Sequence, residues 1–179
     1  MTFAETILME RLRERVLAEK APGRQTATPA QIDAAEARLK MKLPELLKQV
    51  YSEVGGGGFG PGDAGLLPLA STLLPGRLYP LCGWGSGIVS ALDCTAPNAP
   101  VIRIDPNMPK ADVPERVPEA LHFDRAAEVK QACWVESPSL TQWLTDWLDG
   151  QSLFYAAYRG ADDEDDMDEE EDEEEDGED

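Results

Sequence analysis

The side chains able to do chemistry are few and scattered. His122 is the one histidine of the 179-residue chain, with Asp124 two positions on. A thiol attacks only once a neighbouring base has taken its proton, so a Cys–His pair needs Cys82, Cys94 or Cys133 to meet His122. Nothing flanking those cysteines matches a nucleophile context, and a histidine beside Phe123 is more often packed or solvated. Asp93 and Asp105 adjoin expected strands and, converging with Asp63, would make an acid/base pair or a cation site. Strand-terminal aspartates more commonly accept bonds from nearby backbone amides. The expected assignment is no catalytic residue, no cofactor and no metal.

Two further stretches could bind. Six of the eight residues from 55 to 62 are glycine. A phosphate cradle needs a helix N-terminus and a following Lys-Ser/Thr pair. This run instead follows a helix, whose C-terminal dipole disfavours anions, and reads as a helix-to-strand turn. Trp84 stands in Gly83-Trp84-Gly85, where small neighbours let another surface approach, and an exposed Trp there would anchor an interface. A core Trp covering the sheet fits the same residues. Phe59, Asp63, Trp84 and Asp93 form the set of candidate partner contacts.

Charge locates the chain's one low-complexity segment. The net charge is −19, yet residues 161–179 hold 16 of the 35 acidic groups and no basic one, leaving 19 acidic against 16 basic residues in 1–160, a net of −3. Self-repulsion is expected to keep that tail disordered. It would attract a basic partner, mimic nucleic acid toward a cationic nuclease, or only confer solubility. No basic stripe points to nucleic acid, no apolar run approaches a membrane span, and the N-terminus does not read as a signal peptide. Three cysteines without metal spacing suggest small buried hydrophobes in a reducing compartment, with the cytoplasm as the default.

The positioning elements follow from caps and periodicity. Thr2 with Glu5 caps a helix over 3–20, with Phe3, Ile7, Leu8, Leu12 and Val16 as its apolar stripe. Thr28-Pro29 with Gln31 caps a second, with Ile32, Ala35 and Leu39 inward. Pro44 is placed at the first position of a third, bearing Leu46, Leu47, Val50, Tyr51 and Val54, and Gly55 is expected to end it in the left-handed conformation. Strands are expected over 78–82, 88–94 and 101–105, with an edge segment at 66–69. Residues 106–120 read as a proline-rich loop, and 120–135 stay ambiguous. Ser137-Pro138 restarts a helix with Leu140, Trp143, Leu144, Trp147 and Leu148 on its inner stripe. Leu153, Phe154, Tyr155 and Tyr158 are expected to pack back onto the body.

This order resembles the SUKH superfamily of bacterial toxin-immunity proteins and a fungal cell-wall-synthesis regulator. The carriers are Ile32-x-x-x-Glu36-x-x-Leu39, Leu43-Pro44 and an apolar helix into Gly-Gly. They are followed by Tyr79 to Cys94, Pro100 to Asn107, and Ser137-Pro-Ser-Leu-x-x-Trp-Leu-x-x-Trp-Leu148. The last three are similar to one bacterial branch. The resemblance implies a single α+β domain, a small mixed or antiparallel sheet flanked by helices, spanning 28–160. Residues 1–27 would form a preceding helix and linker, and 161–179 the tail. It further implies a non-enzymatic protein-binding module of the immunity type, whose partner would be a toxin; the acidic tail makes a basic toxin domain the candidate. A regulatory or scaffold role through the tail or the first helix is the alternative.

Overall fold

Thr2 opens the first helix by a reciprocal cap: its hydroxyl accepts the Glu5 amide at 3.2 Å, and the Glu5 carboxylate accepts the Thr2 amide at 2.6 Å. The computed structural model describes residues 2–18, 25–70, 72–112 and 123–158. His122, residues 19–24 and the acidic tail lie outside the described residues. Helix α1 (Phe3–Ala18) buries Leu8, Met9, Leu12 and Val16. The expected stripe is corrected at its start, because Phe3 is 81% exposed and Ile7 41%. At about 100° per residue these two fall on the far side of the helix from the Leu8–Leu12–Val16 line, while Met9 falls beside it.

Helix α2 (Pro29–Leu39) has the expected capping box, with Gln31 N–H donating to Thr28 Oγ1 and Thr28 N–H to Gln31 Oε1. Its inward face holds Ile32, Ala35 and Leu39, and also Glu36. The buried Glu36 carboxylate accepts from the Leu43 amide at 2.9 Å and from Lys42, tying the α2 exit to the next helix. Pro44 serves as the cap of α3 (Glu45–Gln49) rather than its first residue, its ψ of 144° being extended. The helix then widens into a π turn over Val50–Val54. Gly55 leaves that turn in an extended conformation (φ 172°), which sends the Gly56 amide to the Gln25 carbonyl at 3.0 Å and corrects the expected left-handed cap.

Four strands follow in a simple antiparallel meander: β1 (Tyr79–Gly83), β2 (Val89–Leu92), β3 (Val101–Asp105) and β4 (Ala132–Ser137), in the order β1-β2-β3-β4. The segment 66–69 is not a strand. It runs beside β1, donating Leu67 N–H to Leu81 O at 2.7 Å, and shields that edge. Ser137 closes β4, so Ser139 caps α4 (Leu140–Leu148), accepting the Gln142 amide at 3.1 Å. A short α5 (Leu153–Ala156) ends the described chain's regular structure. The architecture is α+β.

Alternation along the strands divides the core. Tyr79, Leu81, Leu92 and Val101 join Leu12, Leu47, Tyr51, Leu140 and Trp143 under the helices. Ala91, Ile102, Ile104 and Cys133 face the other way, against Leu78, Phe123 and Val129. Among the described residues no helix is long and apolar enough to cross a membrane. Leu47 is fully buried where α3 meets this core. Leu47→Ala is expected to lower stability by about 2–5 kcal/mol, and Phe3→Ala by less than about 0.5 kcal/mol. Urea melts of the two variants check both; equal losses would contradict the helix orientation.

Candidate partner-binding site

Arg103 sits mid-strand in Val101-Ile102-Arg103-Ile104, on the face that α4 and α5 cover. The register sets Ser90 of β2 on one side of it and Trp134 of β4 on the other. Glu136, two residues beyond Trp134, shares that face by the period of a strand. The side chains of Arg103 and Glu136 are 0% and 3% exposed. Arg103 Nε donates to Glu136 Oε2 at 3.1 Å and Nη2 to Oε1 at 2.9 Å. Glu136 also accepts from Ser90 Oγ at 2.6 Å and from Trp143 Nε1 at 2.8 Å. Trp84 Nε1 in turn donates to Ser90 Oγ at 2.7 Å, so two indoles converge on one carboxylate, one directly and one through a hydroxyl.

The same guanidinium fixes the C-terminal segment. Arg103 Nη2 donates to Leu153 O at 3.0 Å, and the group stacks on Trp84, Phe154 and Tyr158 at 4.9, 5.5 and 5.7 Å from their ring centroids. Trp134 Nε1 donates to Ala157 O at 2.9 Å, and Tyr158 OH to Asp105 Oδ2 at 2.7 Å. Burial, reinforced by Asp105, holds the Tyr158 hydroxyl above the usual tyrosine range.

A groove of about 210 Å³ is lined by Trp84, Leu153 and Phe154 of this cluster together with Pro61, Gly62, Trp147 and Gln151. Gly62 has φ +94°, and a Cβ there would stand 2.6 Å from the Cys82 Cβ. Only glycine lets this loop lie so close to β1 in that conformation. Asp63 N–H donates to Gly83 O at 2.9 Å and ties the loop to the residue before Trp84.

Of the candidate contacts, Trp84 is half-buried and lines the groove, whereas Asp63 is exposed, follows the lining residue Gly62 and sets its carboxylate beside Gly85 without lining the groove itself. Phe59 is 3% exposed and belongs to the main core, so it supports the loop from beneath. Asp93 lies at the opposite end of β2. Its Oδ1 accepts from the Thr95 amide and hydroxyl, and its Oδ2 lies 2.6 Å from Arg125 Nη2. Burial would raise the Asp93 carboxyl, but Thr95 and Arg125 outweigh it and hold the group below the usual aspartate range. Asp93 and Asp105 stand at opposite ends of the antiparallel sheet and do not form a pair. Burial pushes the Cys82 and Cys94 thiols up to about 12, leaving them protonated at neutral pH. Among the described residues no three His, Cys, Asp or Glu side chains gather as metal ligands.

Trp147, Gln151 and Phe154 were not among the sequence candidates, and neither were Arg103 and Glu136. A charged residue between apolar neighbours in each of two strands was the available signal. Trp147, expected on the buried stripe, is half-buried at the groove wall, with Arg15 stacked 5.5 Å from its centroid.

Fold and site thus define an α+β meander domain with an aromatic groove held open by a buried ion pair. Residues 26–124, more than half of the chain, match the SMI1 / KNR4 family (SUKH-1), and the chain belongs to that family. Membership places it among immunity and cell-wall-regulator proteins and points to protein–protein interaction. No curated protein and no solved structure matched it.

Two outcomes check the site. Glu136→Leu strands a buried guanidinium and is expected to cost about 3–5 kcal/mol, whereas Arg103→Met with Glu136→Leu recovers the part due to the unpaired charge and keeps the part due to Ser90 Oγ, Trp143 Nε1 and the Leu153 carbonyl losing partners. Denaturant titration of the single and double variants decides this. Asp93→Asn is expected to cost about 1–2 kcal/mol at pH 7. Because Thr95 and Arg125 hold the folded carboxyl below its ordinary value, its contribution is present above the unfolded pKa of about 4 and fades as pH falls through the folded value, so the variant and the parent converge on acidification. A gap that widens on acidification would contradict the assignment.

Proposed function

We propose that this protein is a non-enzymatic binding module of the immunity type, acting in the cytoplasm to neutralise a bacterial toxin by direct contact. The observation that carries this reading is the groove. It offers three half-buried aromatic side chains, Trp84, Trp147 and Phe154, of which the two indoles also pack against the main core. Large rings held in place lose little entropy on contact and supply most of the energy of compact interfaces. Family membership supports the same reading. The ionisable groups next to the groove are committed to structure: Glu136 accepts four hydrogen bonds, and Arg103 holds both Glu136 and the Leu153 carbonyl. Occlusion of a toxin's active cleft needs a firm, shaped surface and no chemistry of its own.

A scaffold role has one observation in its favour. Phe3, Ile7 and Leu17 leave apolar surface on α1, opposite its packed face. A partner bound there would not depend on the groove.

The test is co-expression with the toxin-like product of a neighbouring gene. Rescue of growth and a co-purified complex are expected, and Trp147→Ala should weaken the complex by about 30-fold or more. A complex lost with Phe3→Ala and Leu17→Ala, and indifferent to Trp147, would favour the scaffold role. Failure of both rescue and co-purification would overturn the immunity reading.

A further inference from the structure

Helix α1 carries two apolar stripes, and its own fold uses one of them. Leu8, Leu12 and Val16 are buried along one line. Phe3, Ile7, Glu10, Glu14 and Leu17 are all exposed, and they recur at steps of four, three, four and three residues. At about 100° per residue these five fall within about 40° of a single line, opposite the packed one. Such steps make the seam on which a second helix packs in a coiled coil. Phe3 and Leu17, at the two ends, are 81% and 77% exposed. The seam between them runs about 21 Å. A solvated helix face is ordinarily polar throughout, and this one is not.

Charge is sorted across the same helix. Arg11 is paired with Asp149 and Arg13 with Glu53, so the cations flanking the seam are held by the body of the protein. Glu10 and Glu14 are exposed on the seam itself, and among the described residues neither has an ion-pair partner. The middle of the seam is therefore negative and its ends are apolar. A second copy fits this pattern badly. With the apolar ends matched, parallel or antiparallel, Glu10 meets Glu10 of the copy, and like charges facing across a seam repel. An anionic lipid surface is disfavoured by the same sign of charge. A helix with Lys or Arg at its central seam positions and apolar side chains at the outer ones matches both features.

We infer that the outward seam of α1 docks one amphipathic helix of a partner protein, apolar at its ends and basic at its middle. Phe3, Ile7 and Leu17 supply the burial, and Glu10 and Glu14 choose the partner, since charged positions along a seam select among helices more than they strengthen the contact. A seam of about four turns makes a small interface, suited to reversible docking. The inference lies outside the immunity reading. It rests on α1 as a docking face, the second reading above, and names the chemistry of what docks there.

The test titrates the full, nitrogen-labelled chain with two capped helical peptides of about 20 residues. Both carry Leu at the two outer seam positions of each end, in an Ala/Gln background; the central pair is Lys in one and Glu in the other. The lysine peptide is expected to shift the amide signals of Phe3, Ile7, Glu10, Glu14 and Leu17 and to leave the indole signals of Trp84 and Trp147 in place. The glutamate peptide should bind at least about fivefold more weakly. Residues 161–179 hold 16 acidic groups that attract any basic peptide. The control is therefore Glu10→Gln with Glu14→Gln, which keeps those groups and should erase most of the preference. Phe3→Ala with Leu17→Ala should weaken both peptides by about tenfold or more. Unchanged indole signals of the fully buried Trp134 and Trp143 report that each variant is folded. No α1 shift at about 1 mM lysine peptide, equal binding of the two peptides, or a preference untouched by the Gln pair would overturn the inference. So would α1 shifts on concentrating the chain alone, which mark a second copy, or on adding phosphatidylcholine–phosphatidylglycerol vesicles, which mark a membrane. Preference for the glutamate peptide would keep α1 as a docking face and overturn the basic partner. Toxin rescue that persists in the Phe3→Ala, Leu17→Ala variant would leave the immunity reading standing whatever the peptides do.

Discussion

A buried ion pair constrains this molecule more than any other contact. Arg103 and Glu136 occupy adjacent strands with almost no solvent, and removing two charges from water is costly unless every donor and lone pair is met. Glu136 is met by Arg103, Ser90 and Trp143. Arg103 is met by Glu136, by the Leu153 carbonyl and by three ring faces, although its Nη1 has no hydrogen-bond partner. A hydrophobic pair of similar volume would avoid that cost but leave Ser90 Oγ, Trp143 Nε1 and the Leu153 carbonyl without these partners. What charge adds is direction. Each bond reaches a different element: the β1–β2 turn through Trp84, α4 through Trp143, and α5 through Leu153. One pair therefore fixes the relative placement of every wall of the groove except the glycine loop.

The glycine loop is placed by a different mechanism. It has few side chains to pack, so its position comes from close backbone approach: Gly62 against Cys82, and Asp63 and Leu67 bonded along the outer edge of β1. Phe59 pins it from below as a core residue. The result is a surface with one wall of bare backbone and another of aromatic side chains. The family match spans the glycine wall, Trp84 and Arg103, and stops at residue 124. Glu136, Trp147 and Phe154 come from the remaining chain, so the groove joins the family's region to the segment that follows it.

Much of the fold was legible because local rules govern it. The caps at Thr2 and Thr28, the helical stripe of α4 and the alternation of β3 depend on neighbours within four residues. What was not legible depended on distant partners. Residues 132–137 carry Trp, Val and Glu without a clean alternation, and become a strand only because β3 offers an edge to pair with. Phe3 and Ile7 look like part of a stripe until the packing of α1 on α4 selects Leu8, Met9 and Leu12 instead. The candidate site was half visible. Trp84 lines the groove and Asp63 only follows the lining residue Gly62, while Asp93 serves a turn and Phe59 the core. Arg103, Glu136 and Phe154 lie far apart in sequence, and no spacing rule joins them.

The central claim is that a partner protein seats on the groove that this ion pair holds open. Hydrogen–deuterium exchange of the full chain, alone and with the toxin-like product of a neighbouring gene, tests it most directly. The account predicts slowed exchange in residues 60–63, around Trp84, and from Trp147 to Phe154, with little change at the exposed end of α1. Protection confined to α1 or α2, with the groove exchanging as in the free chain, would contradict it.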